Sequence, residues 1–366
     1  MKFSVLTYDF YPFEGGQGKH IYEIYYKRIL ERGKCDTEFI SPCQNEIEEN
    51  KTYFGFTKKF GRNILYSILI NLRIKKIVKE NGIARLNVHC GPGGVFLIRK
   101  LDVPVIATCH HTYWQQSHYI KSQFWKRIFI ALEKRTYKLA DKIICVSEDT
   151  KGILTREYGV YPDKIAIIPN GVDDKEFHPI KNIEKIPKSV LYVGRVDKRK
   201  GVDFLIKSVA VAIEKDSSIR LFIGGEGKDL KRLKRFVLRK NLRDNIEFLG
   251  FIPEDRLNEW YNKAECVVVP SAFEGFGVTV IEAMASGTPV IATNADGLRC
   301  IIKNNKNGVL VEYNNKEELA NQIVRLLDSP SLRKEFSSKG LKTIKKKFDW
   351  NKIALKTLDV YENVKD

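Results

Sequence analysis

Two doubly wound α/β domains, each a parallel sheet with helices on both faces, are the architecture this 366-residue sequence predicts. Three observations carry that expectation. Short apolar runs alternate with amphipathic helical stretches along almost the whole chain, the pattern of βαβ units. The length is about two to three times that of a typical single domain. Glycines and polar residues gather just after the apolar runs, where open α/β sheets receive their ligands.

In the first half FSVLTYD, TEFIS, RLNVH, PVIATC and KIICVS read as strands; in the second SVLYVG, IRLFIGG, NIEFLG, CVVVP, PVIAT and GVLVE do. Helices are expected at Gly61 to Asn81 and Lys228 to Lys240, among others. Between the halves, NGVDDKEFHPIKNIEKIPKS holds Pro179 and Pro187 and few apolar residues, and it reads as a hinge. The expected domains are residues 1–180 and 181–345, facing one another across a cleft and closing about Phe177 to Ser189. A basic helical segment, 346–366, holds Trp350 and is expected to cross back to the first domain.

The apolar run after Lys2 is broken by Asp9, unlike a signal peptide, and no apolar stretch approaches the ~20 residues that span a bilayer. The longest, Ile64 to Leu72, is followed by Arg73, Lys75 and Lys76. Seven cysteines form no C-x-x-C pair, which fits a reduced, cytoplasmic setting. The net charge is +18, and Lys51 to Lys142 holds 18 Lys and Arg against four acids, a local excess of 14. Such a surface attracts anions of several kinds, and charge alone supports only non-specific association with nucleic acid. Within that stretch Tyr113, Trp114, Tyr119, Phe124, Trp125 and Phe129 alternate with Lys121, Lys126, Arg127, Lys134 and Arg135. As a helix this segment predicts peripheral docking on an anionic membrane; the alternative is that the rings fill the core.

The most informative segment is PSAFEGFGVTVIEAMASGTP, Pro270 to Pro289, which reads as strand end, glycine-bearing loop and helix. Loop glycines let backbone amides approach a ligand, and a helix start favours an anion. Glu274 in that loop would repel phosphate, so it is suited to hydroxyls; with Glu282 on the helix it points to a nucleotide sugar. Other strand ends carry further polar groups. They are Gly15, Gly16 and Gly18 in YPFEGGQGKH, His110-His111 after PVIATC, Arg195 and Lys200 after SVLYVG, and Glu226-Gly227 after IRLFIGG.

The combination of GGQGKH, VGRVDKRKG, IPNGVD and the E-x7-E of EGFGVTVIE resembles the family-four glycosyltransferases (glycosyl transferases group 1), over essentially the whole chain. That resemblance implies the GT-B architecture and retaining transfer of a sugar, as by a hexosyltransferase, from a UDP- or GDP-sugar to a hydroxyl acceptor, lipid or glycan. It implies that Arg195 and Lys200 bind the donor diphosphate and stabilise the leaving nucleotide, a role a metal would otherwise take; no D-x-D motif ends a suitable strand. Glu282 matches the carboxylate on the ribose, and Glu274 the one near the donor sugar, with the Gly275, Phe276 and Gly277 backbone beside it. Gly15 and Gly16 match a loop approaching the diphosphate. His110 matches a histidine near the donor sugar or acceptor, with His111 as its competitor. Glu226, and Phe251 in FLGFIP, fall in the donor-binding region. No cofactor is implied beyond the donor itself.

Plainer readings stand beside these. GRVDKRKG also suits a solvated basic turn, GG a turn of positive φ, and each histidine a structural role. Among other functions, a GT-B nucleotide-sugar epimerase or hydrolase has a different carboxylate and histidine pattern. A dinucleotide oxidoreductase lacks its G-x-G-x-x-G and the acid after TEFIS. A non-catalytic nucleotide-sugar or nucleic-acid binder would not need Glu274, Arg195, Lys200 and Glu282 together.

Overall fold

The computed structural model describes residues 2–10, 16–33, 35–42, 50–52, 54, 62–119 and 126–364. The chain forms two compact units, Met1–Asn170 with Trp350–Asp366, and Gly171–Asp349.

The first unit runs β1 (Lys2–Leu6), α1 (Gly16–Ile21) continued by π-type turns over Tyr22–Leu30, β2 (Asp36–Ser41) and β3 (Asn50–Thr52). It continues α2 (Arg62–Glu80), β4 (Arg85–Cys90), β5 (Val105–Cys109), α3 (Tyr113–Tyr119), α4 (Ile130–Leu139), β6 (Lys142–Cys145), α5 (Glu148–Tyr158) and β7 (Ile165–Ile167). The seven strands are parallel, in the order β3-β2-β1-β4-β5-β6-β7. The inner strands, covered on both faces, carry the apolar runs legible in the sequence, whereas the short edge strands β3 (Asn-Lys-Thr) and β7 (Ile-Ala-Ile) are absent from that reading. On one face Leu6, Ile40, Val88 and Ile143 pack with Tyr66, Ile70 and Ile74 of α2. On the other, Phe3, Val5 and Ile106 pack with Ile24, Tyr25 and the C-terminal helix, Trp350–Glu362, through Trp350, Ile353 and Tyr361. Asn87, buried in β4, fixes that helix. Its amide donates to Tyr25 Oη at 2.7 Å and to Tyr361 Oη, while Oδ1 accepts from Thr108 at 3.0 Å. A buried amide without those partners would be costly.

The second unit runs β8 (Ser189–Val193), α6 (Val202–Lys215), β9 (Arg220–Gly224), α7 (Leu230–Arg239), β10 (Ile246–Gly250), α8 (Glu254–Lys263) and β11 (Cys266–Val269). Then come α9 (Val278–Ala285), β12 (Val290–Thr293), α10 (Leu298–Ile301), β13 (Val309–Val311), α11 (Lys316–Asp328) and α12 (Pro330–Lys347). Its six parallel strands are ordered β10-β9-β8-β11-β12-β13. The order reverses at β8, so the loops leaving β8 and β11 diverge to opposite faces and open a crevice at their carboxyl ends. The corresponding reversal in the first sheet lies at β1, between β2 and β4.

The segment expected to be the hinge belongs to the second unit. His178 and Ile180 donate backbone bonds to Asn258 and Asn262 of α8 at 3.2 and 2.8 Å, and Ile186 donates to the Lys263 carbonyl at 2.9 Å. The chain passes between units at 170/171 and 349/350. The expected interfacial helix at 113–135 needs correction. Tyr113 is buried, Phe129 packs on Tyr113 and Phe96, Trp114 stacks on His118, and Lys126 is buried with Nζ donating to Gln116. Tyr113 and Phe129 thus pack with Phe96 and Trp114 is half-buried, so these three rings do not form an exposed interfacial face. Lys121, Phe124 and Trp125 lie outside the described residues, as does the side chain of Tyr119.

Gly225 follows β9 at φ +133°, and a Cβ there would sit 1.9 Å from the Gly194 carbonyl oxygen. Gly225→Ala should destabilise the second unit by about 2 kcal/mol or more, because both backbone conformation and space exclude a side chain. Thermal unfolding measures this; an unchanged Tm would contradict the close approach of these two strand ends.

Candidate active site

The crevice of the second sheet is built from the loops 194–201 and 270–277. After β8 the backbone turns, and Asp197 caps a single 3₁₀ turn, Lys198–Lys200, its Oδ1 accepting from Lys200 N–H at 3.2 Å. Gly201 follows at φ +68°, where a Cβ would lie 2.0 Å from the Pro270 carbonyl oxygen. Ala272 N–H donates to the Arg199 carbonyl at 2.9 Å. Backbone contact of this kind brings Glu274 against the basic turn. Lys200 Nζ donates to Glu274 Oε1 at 2.5 Å, Ser271 Oγ donates to the same oxygen at 2.7 Å, and Arg199 Nη1 reaches Oε2 at 3.4 Å. Arg199 also donates to the Phe273 carbonyl at 3.0 Å.

Burial alone would raise the Glu274 carboxyl, but Lys200 and Arg199 outweigh it and hold the group down at about 2. Burial pulls Lys200 below its ordinary value, with Glu274 opposing. The pair is thus a part-buried ammonium–carboxylate bridge with a second cation alongside.

Arg195 is exposed and touches only the edge of this cluster, its Nε 3.7 Å from Asp197. Glu226 and Phe251 are exposed at neighbouring strand ends, Phe251 at 73%. Glu282, on the buried side of α9, accepts from Tyr261 Oη at 3.0 Å. Phe276 offers its backbone alone, because its ring is buried against Phe348. Arg199, Ser271 and Tyr261 are missing from the sequence reading. Arg199 lies inside the quoted DKRKG, but nothing in that string tells which basic residue turns inward.

In the first unit, His110 closes β5 and shares a hydrogen bond with His89, Nε2 to Nδ1, at 3.1 Å. The His20 ring meets His110 edge-on at 4.8 Å, and its Nδ1 pairs with Asn170 Oδ1 at 2.7 Å. Burial takes His20 down to about 4; burial and the neighbouring imidazoles take His89 and His110 well below the usual range. All three rings are neutral near pH 7. The turn after His110 is held from beneath by Glu133, fully buried, which accepts Tyr113 N–H at 2.9 Å and is bonded to Tyr137 Oη at 3.2 Å and to Tyr158 Oη. Burial raises Glu133 to about 8. His20, His89 and Glu133 are missing from the sequence reading: His20 ends the quoted GGQGKH and His89 the quoted strand RLNVH, but neither string tells that these rings meet His110, and Glu133 lies inside a helix with no motif around it. Gly16 has open space where a Cβ would be and no positive φ, so the backbone does not demand glycine there. Gly15 lies outside the described residues. Among the described residues no group of three His, Cys, Asp or Glu side chains is arranged to hold a metal ion.

The family described as Glycosyl transferases group 1 matches residues 173–343, and Glycosyltransferase Family 4 matches residues 14–176. An uncharacterised glycosyltransferase of Methanocaldococcus jannaschii is 32% identical over 98% of this chain and 97% of its own. The chain belongs to the group 1 glycosyltransferases. Its fold is GT-B. Sucrose-phosphate synthase from Thermosynechococcus elongatus superposes with a TM-score of 0.83 at 22% identity, covering 99% and 98% of the two chains. The Anabaena protein HepE, solved with UDP, superposes with a TM-score of 0.76 at 17% identity, covering 99% and 100%. Glycosyltransferases of this group bind a nucleotide sugar and a glycosyl acceptor.

Glu133 gives this glycosyltransferase a testable pH dependence. Its folded value, about 8, lies above the ordinary 4.5, so the folded state holds the proton more tightly. The stability it contributes is complete below 4.5 and is lost as pH rises towards 8. Glu133→Gln keeps one acceptor and one donor in place and cannot ionise. The Tm of wild type minus that of the variant should therefore fall steadily between pH 5 and about 8, then level off. A difference independent of pH would mean that Glu133 is ionised in the fold.

Proposed function

We propose that this glycosyltransferase moves a hexosyl residue, with retention, from a nucleotide-diphosphate donor to a hydroxyl acceptor that is lipid-linked or a glycan precursor at the membrane surface. The observation that carries the reading is the Lys200–Glu274–Arg199 cluster in the crevice of the second sheet. Breaking the sugar–phosphate bond builds negative charge on the leaving nucleotide, and Lys200, Arg199 and the exposed Arg195 are fixed cations to receive it. They fill the role of a divalent metal, so the reaction is proposed to be metal-independent and to need no cofactor.

Glu274 then contacts donor-sugar hydroxyls with the Gly275–Gly277 backbone, and Glu282 the ribose hydroxyls. The exposed Phe251 ring offers a stacking surface for the base, with Glu226 nearby along the strand ends. Gly16 leaves room for the diphosphate. His110 acts as a neutral hydrogen-bonding imidazole near the sugar or acceptor. The low pKa of Glu274 also bears on mechanism. A carboxylate held at about 2 by two cations is a weak base and a weak nucleophile, which favours a same-face route assisted by the leaving phosphate over a covalent glycosyl–Glu274 intermediate. UDP in the HepE structure supports a nucleotide-diphosphate donor by analogy of fold alone.

A panel of UDP- and GDP-sugars, scored by binding and slow hydrolysis, identifies the donor. Lys200→Ala should cost on the order of a hundredfold in nucleotide release, and chelator should leave wild type unaffected. Full activity in Lys200→Ala, or abolition by chelator alone, would overturn the assignment. Glu282→Ala should chiefly raise KM and Glu274→Ala chiefly lower kcat, because ribose contacts are the same in ground and transition states. The reverse pattern would exchange their roles.

A further inference from the structure

We propose that the outer face of α2, with the adjoining segment Ile98–Lys100, docks this protein on an anionic lipid bilayer. One side of α2 is committed to the fold. Tyr66, Ile70, Ile74 and Ile77 are buried in the core. A flanking ladder of Asn63, Ser67 and Asn71 binds the strand-like stretch 94–98: Asn63 Nδ2 to Gly94 O at 3.0 Å, Phe96 N–H to Ser67 Oγ at 3.0 Å, and Ile98 N–H to Asn71 Oδ1 at 2.9 Å. That stretch is tied in turn to α4, by Leu97 N–H to Thr136 Oγ1 at 3.0 Å and Arg135 Nε to Ile98 O at 3.3 Å. Thus α2, residues 94–100 and α4 form one continuous surface of the first unit.

What remains outward on α2 is unusual for a surface helix. Leu65, Ile68 and Leu72 are exposed by 48, 53 and 63%, and Ile98 beside them by 37%. At 100° per residue these three share a stripe with Lys75, Lys76 and Lys79, all exposed, within an arc of about 100°. Exposed Arg99, Lys100 and Lys134 extend the positive charge. The acids on this face are Asp102, 4.0 Å from Lys75, and Glu80, 3.5 Å from Lys76; both pairs are exposed and leave a clear excess of cations. Aliphatic side chains in line with lysines fit the interfacial zone of a bilayer, where chains enter the acyl boundary and ammonium groups meet anionic headgroups. A nucleic acid would use the cations and leave the aliphatics in water, so charge and apolar stripe together favour lipid.

This inference adds to the sugar-transfer reading without depending on it, because vesicle binding needs no donor. The full-length protein is sedimented with vesicles of phosphatidylcholine alone and of phosphatidylcholine mixed with phosphatidylglycerol. Binding should require the anionic lipid and weaken with salt. It should fall tenfold or more in Leu65→Ser/Ile68→Ser/Leu72→Ser and in Lys75→Glu/Lys76→Glu/Lys79→Glu. Lys231→Glu/Arg235→Glu, on the equally basic α7 of the second unit, should bind as wild type does. Donor hydrolysis in solution should be unchanged in all three variants, which also verifies folding. Absence of binding at low salt, or equal loss in the α7 variant, would overturn the proposal. So would a wild-type dimer that becomes monomeric in the Leu/Ile variant, which would give this face to a second copy, or retention of RNA without lipid binding.

Discussion

The contact on which the second unit's chemistry depends is the close approach of two backbones, Gly201 against the Pro270 carbonyl, at the point where the strand order reverses. A side chain at residue 201 would push the two loops apart. With glycine there, the Arg199 carbonyl accepts from Ala272, and Lys200 and Arg199 come into register with Glu274. Burying three charges is costly unless their geometry and hydrogen bonds compensate. Here both carboxylate oxygens are engaged, and Ser271 and the Phe273 carbonyl take further bonds. The ion cluster therefore costs stability if any one partner is lost, and it holds two cations in place at a strand-end crevice.

The first unit solves the same desolvation problem in the opposite way. Around the end of β5 its buried ionisable groups stay uncharged, whereas Glu23 and Arg28 elsewhere in the unit pair as ions. His20, His89 and His110 are held neutral against one another, and Glu133 keeps its proton among Tyr113, Tyr137 and Tyr158. Among the described residues no cation is paired with the Glu133 carboxylate, in contrast with Glu274, and burial raises the one while Lys200 and Arg199 lower the other. A neutral imidazole at the end of β5 can orient a hydroxyl by hydrogen bonding without adding charge. The turn that carries it rests on Glu133 through Tyr113 N–H.

The fold was legible because strands covered on both faces must be apolar throughout, so CVVV, VIAT and KIIC stand out without any partner sequence. The E-x7-E spacing was legible too, because a loop and one helix fix both glutamates locally. Other features were set by tertiary contact and left no local trace. Which basic residue of DKRKG faces Glu274 depends on a 3₁₀ turn capped by Asp197. His20 reaches His110 only because α1 lies across the ends of β4 and β5. The run Phe177 to Ser189 has the composition of a linker, yet its backbone is held by Asn258 and Asn262 from α8, residues with no signature of their own.

The same limit applies to the faces of the first unit's helices. Alternating rings and cations at 113–135 read as an interfacial helix, but Phe129 and Tyr113 pack on Phe96, and a ring that has a partner in the core is unavailable to lipid. Conversely, Ile64 to Leu72 is apolar nearly all the way round, so its sequence reveals no preferred face. Only the structure divides it: Tyr66 and Ile70 to the core, Asn63, Ser67 and Asn71 to the 94–98 backbone, and Leu65, Ile68 and Leu72 to the outside. A helix that has already satisfied its core contacts gains nothing for the fold from three further exposed aliphatics followed by three lysines. Their position is more readily explained by something outside the chain than by anything within it.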